Sequence, residues 1–403
     1  MLKRWLQISF LNLAIVALLG VIMRYKIIYP LPIVDQKNLL HAHSHFAFAG
    51  WVTQALMSLL VSQLRGSNID FFKKYRPILI ANLLTAYGML FTFPFWGYGL
   101  IPVIFSTLSI FTSYWFAIYY WRDLNREPAK EVSHSWFKAA VVFNAISSAG
   151  PFMLAGMMST KSINMEWYLA SIYYFLHFQY NGWFFFACMG LLTSQLQRYN
   201  VNKEKLIKIF RLFLYAGIPA YLLSILWAKL PWWLYIFAIL AVVLQLFGWV
   251  ITVKQIRKLL QQKLPAIERL PYILLGLCGL AYSIKLVLQT ASVIPSLSHF
   301  AYGFRPIVIG YLHLVLLGVI TLFIIAYIIT LKLISINVLL RSGVVLATTG
   351  IILNELFLMI QGISDMSYIP IPSVNFLLLI AALVLFSGFL TVFISQQNKQ
   401  SNT

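Results

Sequence analysis

The stretch Asn38-Leu-Leu-His-Ala-His-Ser-His-Phe-Ala-Phe-Ala-Gly-Trp51 opens a long apolar segment and carries three of the chain's seven histidines. Imidazole is costly inside a bilayer and is kept there for a metal, a proton path or a hydrogen bond between helices. In a helix, His41 and His45 lie four residues apart and share one face, while His43 points away from them. No other stretch of the sequence says as much about fold and chemistry together.

The residues around it are those of a membrane protein. The chain has 403 residues, 61% of them hydrophobic and 10% charged. A soluble domain has too little interior to hide that much apolar surface. A spanning helix needs about 20 largely apolar residues. That criterion gives twelve runs, near 5–28, 39–63, 76–97, 99–121, 135–157, 167–194, 206–228, 231–252, 268–292, 305–332, 338–360 and 370–395. The fold class expected is all-α, a single polytopic bundle of twelve transmembrane helices over residues 1–403. The first run begins Met1-Leu-Lys-Arg-Trp5 and lacks a small-residue cleavage site, so it reads as a retained helix. The least distinct boundaries lie at Phe95-Trp96-Gly97 and around Pro231.

The formal charge of +20 does not point to nucleic acid, because the Lys and Arg residues sit in short gaps between apolar runs. With the N-terminus inside, the inner segments hold 23 of them and the outer segments 6, with Lys285 left within a helix. The excess of basic residues on the cytoplasmic side sets the orientation, and both termini are expected there. Membrane lipid is the one partner that composition implies. Cys188 and Cys278 fall inside apolar runs and read as packing residues.

With this topology the even-numbered helices run inward. His41, His43 and His45 then start the second helix, His177 lies a third to halfway along the sixth, and His313 about eight residues into the tenth. At about 1.5 Å of rise per residue all of these side chains fall in the outer half of the bilayer. Two imidazoles from different helices at one depth could hold a haem iron between them. A lone histidine in a membrane helix also serves as a simple interhelical hydrogen bond, and His177 takes either reading. His134 and His299 read as loop residues. Lys285 in the ninth helix and Glu355 in the eleventh have equal depth and opposite charge, which suggests a buried ion pair acting as a proton relay or a structural clamp.

The helix-2 motif His43-Ser-His-Phe-Ala-Phe-Ala-Gly-Trp51, with histidines in helices 6 and 10 of an N-in chain, resembles subunit I of the haem-copper oxidase superfamily, which includes the nitric oxide reductases. Anchored on Gly50-Trp51, the resemblance implies His45 as a low-spin haem ligand, with His41 on the same face as the fallback. His313 in Tyr311-Leu-His313 fits the opposite ligand, and Tyr311 stands where the high-spin haem ligand is expected. His177 matches the first ligand of the second metal. His177-Phe-Gln-Tyr-Asn-Gly182 is similar to the His-x-x-x-Glu-Gly pattern of nitric oxide reductases, with Asn181 in place of the acid. Helix 7 lacks the family's pair of metal-binding histidines. The resemblance therefore implies one b-type haem, no complete binuclear centre and a doubtful copper.

The function expected on that basis is electron transfer, or haem-linked handling of nitric oxide, in a bacterial inner membrane, beside other respiratory subunits or an electron donor. If catalysis remains, it is of the oxidase or nitric-oxide-reductase type, with His177 and Tyr180 near the reacting centre. The rival reading is a cofactor-free transporter whose proton or metal path uses His41, His45, His177, His313, Lys285 and Glu355. Against it stands the absence of any internal repeat. A third reading is a subunit that only anchors or assembles a respiratory complex.

Overall fold

In a low-dielectric surrounding every backbone N–H and C=O needs a partner, and for apolar runs of this length the helix supplies it within the run itself. The computed structural model describes residues 1–65, 70–228, 230–261 and 268–397, without the side chains of 299–302, and among these residues there is no strand. Helices α1 (Leu2–Ile28), α2 (Gln36–Val61), α3 (Phe71–Trp96), α4 (Leu100–Arg126) and α5 (Val132–Ser159) come first. Helix α6 covers residues 165–198 and α7 Lys203–Gly217. They are followed by α8 (Trp232–Leu260), α9 (Arg269–Ala291), a short helix Pro295–Gly303, α10 (Arg305–Thr330), α11 (Val338–Met366) and α12 (Val374–Ser395).

Ten of these helices are long and apolar enough to cross a membrane, so the fold is an all-helical, multi-pass membrane bundle. The two outside that set are α6 and α7. Helix α6 has the length, but its centre, from Tyr173 to Asn181, is rich in Tyr, His, Gln and Asn. Helix α7 stops at Gly217, and the chain continues as 3-10 turns at Pro219–Ser224 and Leu226–Ala228. Pro219 has no N–H to give and its ring crowds the preceding turn, which ends the α-helix there. The indistinct boundary at Phe95-Trp96-Gly97 is a true break: Gly97 has φ +52, in the left-handed region, and separates α3 from α4.

Contacts group the chain into two compact units. One comprises Met1–Phe116, Glu268–Cys278 and Phe304–Thr403; the other comprises Ala117–Ile267 and Gly279–Gly303. In the first unit α11 and α12 pack through small residues. A Cβ on Gly350 would lie 2.6 Å from the Leu385 backbone, one on Gly343 2.8 Å from the Val392 nitrogen, and Gly388 lies against Ala347 in the same way. Removing side chains there lets two backbones approach closely, the main source of helix association where lipid is as apolar as leucine.

Three helices contain a π-helical segment: Ala47–Thr53 in α2, Phe178–Phe184 in α6 and Leu314–Thr321 in α10. The first begins two residues after His45, and the other two come directly after His177 and His313. A wider turn disturbs the regular carbonyl pattern, so side chains of neighbouring helices complete it. Asn12 of α1 donates to the Gly50 carbonyl at 2.6 Å and accepts from the Tyr87 hydroxyl at 2.7 Å. Asn82 of α3 donates to the Ala49 carbonyl at 3.0 Å and to Gln54 Oε1 at 2.8 Å. In α10 the Val319 carbonyl accepts from the Cys278 thiol at 3.3 Å. Trp51 Nε1 donates to Thr321 Oγ1 at 3.0 Å, tying the π segment of α2 to that of α10.

Substitutions at two of these contacts test the packing through the thermal unfolding midpoint of the detergent-solubilised protein. Asn82→Leu leaves buried acceptors without donors and is expected to cost about 1–3 kcal/mol. Gly350→Val forces α11 from α12 at a similar cost of about 1–3 kcal/mol, whereas Gly276→Ala, with open space around it, leaves the midpoint unchanged or slightly raised.

Candidate functional site

The start of α2 is set by Asp35, whose carboxylate accepts the backbone amides of Asn38 at 3.0 Å and Lys37 at 2.8 Å. These bonds, that from Asn38 foremost, hold the carboxyl below the usual carboxylate range. From this cap the next two turns carry the three histidines, and successive side chains two residues apart point to nearly opposite sides.

His41 and His45 face α3 and the turn after it. The His45 ring stacks on Phe93, with centroids 4.6 Å apart and planes within 12°. The Tyr98 hydroxyl lies 3.4 Å from His45 Nε2, and the Tyr98 ring meets His41 edge-on at 4.5 Å. The left-handed turn at Gly97 presents Tyr98 to both imidazoles, with the Asn38 side chain packed too close to Gly97 for a Cβ. His41 Nε2 is buried with no hydrogen-bond partner among the described residues.

His43 faces α1 and α10. Its Nδ1 lies 3.1 Å from the Val16 carbonyl, and its Cε1 lies against Gly20. It is His43 whose electrostatic neighbours include His313 and Arg24; those of His45 include His41. His313 repeats the pattern of His43, with Nδ1 2.8 Å from the Ile309 carbonyl and Arg24 near its ring. A carbonyl can only accept, so in both residues Nδ1 carries the proton and Nε2 keeps a free lone pair. By contact surface both rings are only half-buried. Arg24 lies within electrostatic range of both rings and of Arg305, and neither arginine has a carboxylate partner among the described residues.

In the second unit His177 is fully enclosed, 1% exposed. Its Nε2 is 2.9 Å from the Gly217 carbonyl, the acceptor set free where α7 ends, and its Nδ1 is 3.2 Å from Asn181 Nδ2. One nitrogen donates and the other accepts, so neither is open to a metal. The Tyr180 hydroxyl is hydrogen-bonded to the Ser224 and Asn181 side chains. Lys285, 2% exposed, donates to Gln245 Oε1 at 3.3 Å. Glu355, in the first unit, accepts from Asn354 at 3.2 Å. Lys285 and Glu355, which depth and charge suggest as a pair, thus belong to different units, and each is hydrogen-bonded to a side-chain amide within its own. His134 lies in the first turn of α5 with a buried, unpartnered Nδ1 rather than in a loop, because the helix begins at Val132. The His299 side chain lies outside the described residues.

Two residues to which sequence reasoning assigned no role, His43 and Arg24, are electrostatic neighbours of His313. The alternating His-x-His pattern offers both faces of α2 equally, and only the packing of α1 against α2 decides which one meets α10. No protein-family model and no curated protein matches the sequence, so the resemblance to haem-copper oxidases rests on the motif residues alone.

His177→Ala removes the donor to the Gly217 carbonyl. Thermal unfolding is expected to register a loss of about 1–3 kcal/mol, while the metal content of the purified protein, measured by mass spectrometry, stays unchanged.

Proposed function

We propose that the chain is a multi-pass membrane haem protein that binds one b-type haem through His43 of α2 and His313 of α10 and serves electron transfer in a respiratory membrane. What carries this reading is the shared state of the two imidazoles: each has Nδ1 fixed on a backbone carbonyl and Nε2 free, and the two lie within electrostatic range of each other. Ligating histidines need that tautomer, and a second-shell acceptor on the other nitrogen holds the ring in orientation. Arg24 and Arg305 offer two uncompensated cations for the acidic edge of the group. Bound there, haem supplies a one-electron couple whose potential depends on its axial ligands and surroundings.

The choice of His43 over His45 rests on the stacking of His45 on Phe93 and its contact with Tyr98, which turn that ring to the other face. With His43 and His313 both holding the iron, a haem there would supply electron transfer and would have no open position for substrate. No group of three or more His, Cys, Asp or Glu side chains converges among the described residues, and both nitrogens of His177 are engaged. Electron transfer therefore suits the site better than oxygen or nitric oxide reduction, and copper forms no part of the proposal. The proposal includes twelve crossings, with both termini on the cytoplasmic face of a bacterial plasma membrane. Counting α6 and α7 puts Arg198, Lys203, Lys205, Lys208 and Arg211 on the basic side, whereas leaving both out would move them to the other.

A visible spectrum tests the cofactor. Protein purified from haem-replete cells is expected to show sharp Soret and α bands that vanish in His43→Ala and His313→Ala and survive in His45→Ala. Loss in His45→Ala with retention in His43→Ala would move the ligand to the other face of α2. A colourless wild-type protein would sink the haem reading and leave the transporter. Reporter fusions at the C-terminus and in the loop containing Lys161 check the orientation; a cytoplasmic signal from the latter would contradict twelve N-in crossings.

A further inference from the structure

The second unit contains a small cavity lined by His177, Asn181, Gly217, Gln245, Tyr282 and Lys285, the rest of its wall being apolar and aromatic. It offers about 20 Å³ to the centre of a water-sized sphere. A single water needs about 10–15 Å³ by that measure, so a monatomic species somewhat larger than water fits.

The hydrogen-bonding character of the wall is one-sided. Of the acceptors, Gln245 Oε1 is engaged by Lys285, the Gly217 carbonyl by His177, and His177 Nδ1 by Asn181. The Asn181 amide is shared with the Tyr180 hydroxyl. The donors are in surplus. Lys285 Nζ can give three hydrogens and makes one hydrogen bond, and the Gln245 amide nitrogen has no partner among the described residues. The ammonium also lies 5.4 Å from the centre of the Tyr282 ring, within cation–π range. Lys285 is 2% exposed, too enclosed for bulk water to compensate the charge.

We propose that this cavity is a binding site for one small monovalent inorganic anion of halide size, held by the Lys285 ammonium and the Gln245 amide N–H. The anion neutralises the buried cation and accepts the hydrogens the wall leaves over. The site is independent of the haem proposal, because its residues belong to the other compact unit.

The test uses the full-length protein in detergent, with its unfolding midpoint followed as sodium bromide is titrated against sodium gluconate at equal ionic strength. Gluconate is too large for the cavity. Bromide is expected to raise the midpoint saturably above that in gluconate, a direction opposite to its general destabilising effect as a weakly hydrated salt. Lys285→Met should abolish the difference, and Gln245→Leu should weaken the bromide response about tenfold, equivalent to about 1.4 kcal/mol. Equal midpoints in the two salts for wild type overturn the proposal, and that comparison stands even if Lys285→Met does not fold. A bromide response of unchanged strength in both variants overturns it as well, since the ion then binds elsewhere.

Discussion

A backbone carbonyl without a donor is far more costly in hydrocarbon than in water, and this constraint shapes the first unit of the molecule. Each departure from regular α-helix is met by a side chain from a neighbour: Asn12 at Gly50, Asn82 at Ala49, Cys278 at Val319. The side chains that meet these carbonyls also fix which helices are adjacent. A polar residue such as Asn82, which looks like a defect in an apolar run, is a structural fastener. Trp51 and Thr321 join two such segments directly.

The same irregularity bears on the histidines. An α-helix that passes through a π turn gains an extra residue, which rotates the part after it relative to the part before. In α6 and α10 the turn begins immediately after the histidine, and in α2 shortly after the group of three. The histidine-bearing end of each helix can then face one set of neighbours while the later turns keep another. In α10 this leaves the stretch ending at His313 only half-buried and the stretch beyond it buried almost continuously to Ile329. One helix thus has a half-buried stretch at one end and a dense core at the other.

The contrast between the histidine environments is a contrast of partners. His43 and His313 meet backbone carbonyls through Nδ1 alone and keep a lone pair. His177 has an acceptor on one side and a donor on the other, which locks the imidazole as a connector between α6 and the broken end of α7. His45 stacks on Phe93, with the Tyr98 hydroxyl 3.4 Å from its Nε2. Identical side chains in similar apolar segments therefore have different chemistry open to them.

Composition alone determined that this is a helical membrane protein, because apolar runs of spanning length have few other ways to satisfy their backbone. The apolar runs also located the start of every long helix to within a turn or two, but left the boundary at Gly97 indistinct, and the structure resolved it as a left-handed turn. The sequence further singled out the histidine stretch of α2 and His313, because a polar ring in an apolar run is conspicuous wherever it folds. The motif resemblance pointed to the face of α2 that carries His41 and His45, whereas in the structure it is His43 that lies within electrostatic range of His313; His43 and His45 point to opposite sides, and the choice depends on where Val16, Gly20 and Phe93 come to lie. The π turns, the engagement of both His177 nitrogens and the pairing of Lys285 with Gln245 were likewise decided by tertiary structure. Each depends on a partner remote in the chain or on the register of a neighbouring helix, and no local pattern encodes that.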